Sequence, residues 1–553
     1  MRFSLFSFSG IIKSSLIISP CFSKIINVNW NISYARGNPD GLYNRRVIGV
    51  NGDWPIKALE GVVGDTIYLN ATNYLDVPTS LHAHGLLFKT NKFSDGAFGI
   101  NHCGIAPGDH YVYELELTET GTYWIHSHYK TQYSDGLRAP LIVYPKNYEE
   151  ESFTDYVVTI SDWYHKEATV LAEDLLSVNN PDGDEPTPDS AIINDGESKS
   201  YKFYVGTIHR IRLINTSTMA FFHFSIDGHQ MKIVELDGTE VSRFPTESVR
   251  LAPGQRVSVS VYGKNSNTEN YYMHIDMDPS SIDSTPSSLK LNYTAQVVYS
   301  DFVDFVKGGD RQWKNIDETQ IIPIKEVLRR NPDETYIIKT DIQTMDDGTA
   351  RGLMNGVTFV HPKTPTLHTA LTTGNLAFKK RVYGPKSNVI ITGHNKVIRI
   401  VIENAHEDAH PFHLHGHKFQ ILEIGSGEYD SSKGVRPGHS NPVRRDTVVV
   451  PPHGYVVIHY ISDNPGVWPL HCHNNWHMML GMMSVIVEAP EELQRNYGPI
   501  TINDWRMCKT NGFAPRGNGG GKMALDMRFA PNSPSLTGKS TETHKKKIIH
   551  SEL

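Results

Sequence analysis

The chain has 553 residues, of which 39% are hydrophobic and 20% charged, and a formal net charge of −7. That length and composition suit three globular domains better than one. The acidic balance argues against a nucleic-acid partner, which would call for a basic surface, and mildly favours a cationic or neutral substrate.

Residues 1–23 carry Arg2 and two apolar stretches, 3–8 and 11–20, interrupted by Lys13, and read as a secretory leader. The expected location is therefore secreted, extracellular or at the cell surface. Asn-x-Ser/Thr sequons at Asn31, Asn70, Asn215 and Asn292 would then be glycosylation acceptors. After the leader no apolar run reaches the roughly 18 residues that cross a bilayer, so no membrane span is expected in the mature chain.

Beyond residue 24, runs rich in Val, Ile, Thr and Tyr recur between Gly, Pro, Asn and Asp clusters, at 66–69, 156–160, 210–214, 256–261, 397–402 and 456–460. This is the pattern of an all-β chain of sandwiches. Composition shifts near 146–152 and across 301–333 divide it into units at 24–148, 149–310 and 311–510, the last including a linker. A turn-rich loop at 179–186 interrupts the middle unit. From 511 to 553 the chain is rich in Gly, Ser, Lys and Pro, and reads as a disordered tail.

The chemistry lies in four His-x-His pairs: His82/His84, His126/His128, His413/His415 and His471/His473. On a strand, residues i and i+2 share a face, so each pair can present two imidazoles to one metal space. One pair alone would more often be two ordinary polar histidines or half of a zinc site. Eight imidazoles are too many for one zinc, and a cluster of several coppers fits the count.

A second centre is written around Cys472. A thiolate, two imidazoles and a weak thioether make a blue-copper electron-transfer site, with Cys472, His410, His477 and axial Met482 as its ligands. Met482 has a plainer alternative as core packing, since Met478, Met479 and Met483 crowd the same segment. If this segment is extended, Cys472 faces one way while His471 and His473 face the other, so one strand joins the two centres. Of the remaining cysteines, Cys21 lies in the leader, while Cys103 and Cys508 are either buried thiols or a single disulfide.

At His82-Ala83-His84-Gly85, Trp124-Ile125-His126-Ser127-His128, the stretch from His410 to His417 and the Cys472 segment, the chain resembles the multicopper oxidase family. The resemblance covers roughly residues 28 to 508. It implies three cupredoxin-like, Greek-key β-sandwich domains and four copper ions. His82 and His413 would hold the type 2 copper, and His84, His126, His128, His415, His471 and His473 the type 3 pair. It also implies a Cys103–Cys508 bridge, dioxygen as electron acceptor, and Asp95 as a proton donor. Many relatives carry a second acid two residues after the His-Cys-His triplet, where this chain has Asn475.

Within the family the chain looks most like fungal iron-transport ferroxidases, through residues 404–417, 463–468 and Glu185-Pro186-Thr187-Pro188. That resemblance implies ferrous iron as substrate, an iron permease as partner, and carboxylates beside the blue copper. The candidates are Asp162, Asp283, Glu407 and Asp408. Two departures stand out: Asp162 replaces the ferroxidase glutamate in a Ser-Asp-Trp-Tyr-His stretch, as in laccases that orient a phenol, and His406 replaces the acid four residues before the blue-copper histidine. A laccase oxidising phenols is thus the alternative, and a copper-binding protein without turnover is the alternative of another class.

Overall fold

The runs rich in Val, Ile, Thr and Tyr all become strands. In the computed structural model, the described residues are 23–532 except 147–153, 197–199, 307, 309–312, 314–315, 437 and 499. The leader reading and the tail from 533 onward lie outside them, Phe22 and Ser23 marking the edge.

Period-two burial is plain in the strand Thr66–Asn73, where Ile67, Leu69, Ala71 and Asn73 point inward between half-exposed neighbours. Such strands build six sheets, which pair into three sandwiches. The first joins two four-stranded sheets within residues 25–144, the second a six- and a five-stranded sheet within 154–298, and the third a six- and a five-stranded sheet within 334–488. One continuous apolar cluster runs through all three, from Trp30 to Ile486.

The strand Gly121–Ser127 is buried at every position. One side of it meets its own sandwich. On the other, Thr122 donates through its N–H to Glu235 of the second sandwich at 2.6 Å. A strand covered on both faces has lost the polar alternation, which is why it places histidines in a dry interior.

Cys103 and Cys508 form a disulfide across a sequence separation of 405, tying a loop of the first sandwich to the helix Ile502–Thr510. The tail differs from its sequence reading. Residues 511–532 fold back on the third sandwich: the N–H of Ala514 donates to Lys363 O and that of Gly519 to Val382 O, each at 2.7 Å, and Asn518 is buried. Glycine serves close backbone contact here, since a Cβ at Gly519 would lie 2.3 Å from Tyr383 O.

One sequon is also reassigned. Asn215 is buried, and its side-chain amide donates to Ala220 O and Leu251 O, so the folded chain offers no acceptor there. No helix among the described residues is long and apolar enough to cross a membrane.

Candidate metal centres

Strand register sorts the histidines. The strand His410–Leu414 pairs antiparallel with Gly466–Cys472, setting Phe412 opposite Cys472 and His413 opposite His471. Directly paired residues share a face, so His410 and Cys472 turn to one side and His413 and His471 to the other. In the first sandwich, His82 pairs with His126, which brings Leu81–His84 and Gly121–Ser127 to the same space.

The cluster histidines converge as that register requires. The ring nitrogens of His84, His126 and His473 lie within 4.8 Å of one another, as do those of His128, His415 and His471, and those of His82, His84 and His413. All eight rings are buried. Hydrogen bonds on an outer nitrogen fix the tautomers of His82, His126, His413, His415 and His471. The Nδ1–H groups of His82, His126, His413 and His471 donate to the backbone carbonyls of Asp95, Ser127, Asp446 and Cys472 at 2.8 to 3.0 Å. His415 Nδ1 donates to the Asp95 carboxylate at 3.0 Å. A carbonyl can only accept, so the lone pair must sit on the inner nitrogen.

Those inner nitrogens, Nε2 of His82, His126, His128 and His413 and Nδ1 of His84, are buried without a partner. Orphaned polar atoms aimed at a common space fit a bound cation. Burial, with repulsion among the rings adding, holds His84, His126, His128, His415 and His473 well below the usual imidazole range, and His471 at about 3. Neutral imidazoles are the form that binds metal.

The second centre lies on the other face of the strand. His477 Nδ1 is 2.9 Å from His410 Nδ1 and 3.5 Å from Cys472 Sγ, and the thiol is 3.9 Å from His410 Nδ1. The short helix Asn475–Leu480 positions His477: the Asn474 side chain caps it by accepting from Trp476 N, and Gly481, at φ 105°, ends it. A Cβ at Gly481 would lie 2.2 Å from Thr358 Oγ1. This turn returns Met482, fully buried, beside Cys472, whose N–H donates to Met482 O at 3.1 Å. A thiolate with two imidazoles suits copper, whereas a hard-oxygen metal would want carboxylates.

The candidate acids separate. Asp162 is buried at the end of Thr154–Trp163, and its carboxylate accepts the N–H groups of Thr218, Met219 and Ala220 at 2.8 to 3.1 Å. Those bonds occupy it in holding a turn, unlike the free carboxylate beside the thiolate centre for which the sequence made it a candidate. Asp283, Asp408 and Glu407 instead lie on the solvent side of the thiolate centre. Asp408 Oδ2 is 3.3 Å from His406 Nδ1, and the His406 ring packs 5.5 Å from that of His410. Glu407 is exposed, with no direct contact to the centre.

Sequence reasoning gave Glu185 no role, yet it touches the centre most directly. Its Oε1 lies 2.6 Å from His477 Nε2, and its N–H donates to Asp283 Oδ2 at 2.6 Å. Burial alone would lower His477, but Glu185 and the Cys472 thiol override it and raise the imidazole well above its usual range. Asp283 keeps an edge open to solvent. The protein closing round its carboxylate, reinforced by Glu185 and Asp408, pushes it up to about 7.

Asp95 is buried between His415 and Asn101, whose amide donates to it. Asn475 is buried too, its N–H donating to Thr218 O at 2.8 Å. It has no charge to exchange.

A thiolate pocket one backbone step from a separate all-imidazole cluster, carried on three β-sandwiches, defines a copper oxidoreductase that collects single electrons at one centre and spends them at another. Comparison with known proteins places it more closely. Three models described as multicopper oxidase match residues 31–148, 154–301 and 359–492. The iron multicopper oxidase fer1 of Mycosarcoma maydis is 33% identical, over 92% of this chain and 88% of its own. The iron transport multicopper oxidase fio1 of Schizosaccharomyces pombe is 35% identical, over 91% and 83%. The chain belongs to the multicopper oxidase family. Among solved structures, Fet3p, a multicopper oxidase that functions in iron import, superposes with a TM-score of 0.86 at 29% identity, covering 93% of this chain and all of its own. The Botrytis aclada laccase reaches 0.77 at 24% identity, over 89% and 92%, and shares the fold.

Proposed function

We propose that this oxidase is a ferroxidase of iron transport, taking electrons from ferrous iron and delivering them to dioxygen. The observation that carries the reading is the contact between Glu185 and His477, which joins a carboxylate pocket to a ligand of the thiolate centre. Asp283 and Asp408 complete that pocket, with Glu407 at its rim. Hard carboxylate oxygens suit ferrous iron and favour the more positive ion it becomes. The names of the relatives, iron transport oxidases among them, support the same substrate. A cell-surface location beside an iron permease is part of the same proposal.

Copper bound here would supply one-electron acceptance at the thiolate centre and reduction of dioxygen to water at the imidazole cluster, four ions in all. In this reading His410, Cys472, His477 and Met482 would hold the type 1 ion and His82 and His413 the type 2 ion. His84, His126, His128, His415, His471 and His473 would hold the type 3 pair. The chain itself does the rest. Cys472 continues through its own backbone into His471 and His473, so the two centres share one covalent path. Glu185 fixes the orientation of His477 and concentrates negative charge where the cation docks. Asp95, buried against His415, is placed to hold or give a proton near the cluster.

Oxygen uptake with ferrous iron and with a phenol as reductant tests the assignment. Iron should be the faster substrate, and a phenol that far outpaces it would make the protein a laccase.

A further inference from the structure

The second sandwich contributes no histidine to either centre, yet one of its arginines reaches the imidazole cluster through a single carboxylate. Arg256 and Asp446 are both buried. Arg256 Nη1 donates to Asp446 Oδ1 at 2.7 Å and Nη2 to Oδ2 at 2.6 Å, a paired fork. The same guanidinium donates through Nε to Thr122 O of the first sandwich at 3.0 Å and through Nη1 to Gly254 O at 2.9 Å. Three sandwiches therefore meet at one side chain.

Asp446 passes this anchoring to two rings. Its Oδ1 lies 3.0 Å from His84 Nε2, and its backbone carbonyl accepts from His413 Nδ1 at 2.9 Å. The two rings stack 3.7 Å apart, 15° from parallel. A carboxylate at His84 Nε2 places the ring proton there and leaves Nδ1 as the inner nitrogen, whereas His82, His126 and His413 turn Nε2 inward. The backbone next door is built for the approach. Gly85 has φ 93°, and a Cβ there would lie 2.6 Å from Arg256 Nη2 and 2.9 Å from Asp446 Oδ2.

We propose that Asp446, clamped by Arg256, is a positioning residue for the imidazole cluster. It selects the inverted tautomer of His84 and fixes the plane of His413, so the ligand-free middle sandwich governs the metal geometry of the outer two. This rests on the copper reading above.

The test compares the wild-type protein with Asp446→Asn, Arg256→Lys and Glu318→Gln, each purified and loaded with copper. Glu318 pairs with Arg445 at the same buried junction but touches no imidazole, so it controls for simple destabilisation. Asp446→Asn leaves a neutral amide opposite a buried guanidinium, and Arg256→Lys keeps the charge without the fork. Both should retain the intense visible sulfur-to-copper band. Both should also lose copper from the cluster, with affinity down about 10- to 100-fold, and change the hyperfine splitting of the imidazole-bound copper in electron paramagnetic resonance. Glu318→Gln should lower the melting temperature and leave that splitting alone. Wild-type copper content and splitting in Arg256→Lys would overturn the proposal, as would the same spectral change in Glu318→Gln. Wild-type protein that takes up no copper would instead end the copper reading.

Discussion

Glu185 Oε1 lies 2.6 Å from His477 Nε2, so a residue from a loop of the second sandwich holds an imidazole of the thiolate centre carried by the third. Replacing Glu185 by Gln removes the charge and keeps the shape. A hydrogen bond to a charged group is worth roughly 1.5–3 kcal/mol, which converts to a fall of roughly 10- to 100-fold in kcat/KM for ferrous iron. A phenol assayed in parallel should lose much less. Equal losses for both would mean that Glu185 only shapes the blue centre.

Asp283 adds a pH dependence. Its carboxyl is pushed up to about 7, by desolvation first and then by Glu185 and Asp408. Cation binding needs the ionised form, so KM for ferrous iron should fall as pH rises through 7 and level off above it. Asp283→Asn should flatten that limb at a high KM. Stability runs the other way: a carboxyl raised above its unfolded value favours the folded state at low pH, and that advantage is lost as pH climbs from about 4 towards 7. Steady-state iron kinetics across this range, with melting curves beside them, check both signs.

Cys472 is the only free cysteine among the described residues and is buried between His410 and His477. Cys472→Ser should abolish the intense visible band and reduce turnover with any reductant to background, while the imidazole cluster on the opposite strand face still fills with copper. Metal analysis and the visible spectrum together decide the matter. Full oxidase activity in this variant would contradict a single covalent path between the centres.

Met482 sits beside Cys472 after the Gly481 turn. A weak axial thioether lowers the blue-copper potential relative to a side chain that cannot ligate. Met482→Leu, close in volume, should therefore raise the potential and cost under about 1.5 kcal/mol of stability. Redox titration of the visible band measures it, and an unchanged potential would return Met482 to simple core packing.

What was legible in the sequence depended on distance along the chain. The His-x-His pairs could be read because strand geometry puts i and i+2 on one face, and the opposition of Cys472 to His471 and His473 follows from the same period. The strands at 66–69 and 397–402 declared themselves by their runs of Val, Ile, Thr and Tyr. Glu185 was hidden because its role depends on a loop crossing to another sandwich, where Thr344 Oγ1 donates to Pro181 O. Its local signals are the resemblance of residues 185–188 to ferroxidases and the pair of prolines, Pro186 and Pro188, that stiffen the approach. Asp162 misled for the opposite reason. Its motif was visible, but the three N–H groups that occupy it come from residues 218–220. The segment 511–532 was misread as disordered because its low apolar content gave no hint that backbone amides, rather than side chains, would hold it to the third sandwich.

The Cys103–Cys508 bond turns most of the polypeptide into a closed loop. A protease that cuts once inside it, for example in the stretch between the second and third sandwiches, produces two fragments that still travel as one molecule. They separate on a denaturing gel only after a thiol is added, so the halves of the cluster, one from each side of such a nick, remain covalently leashed to each other.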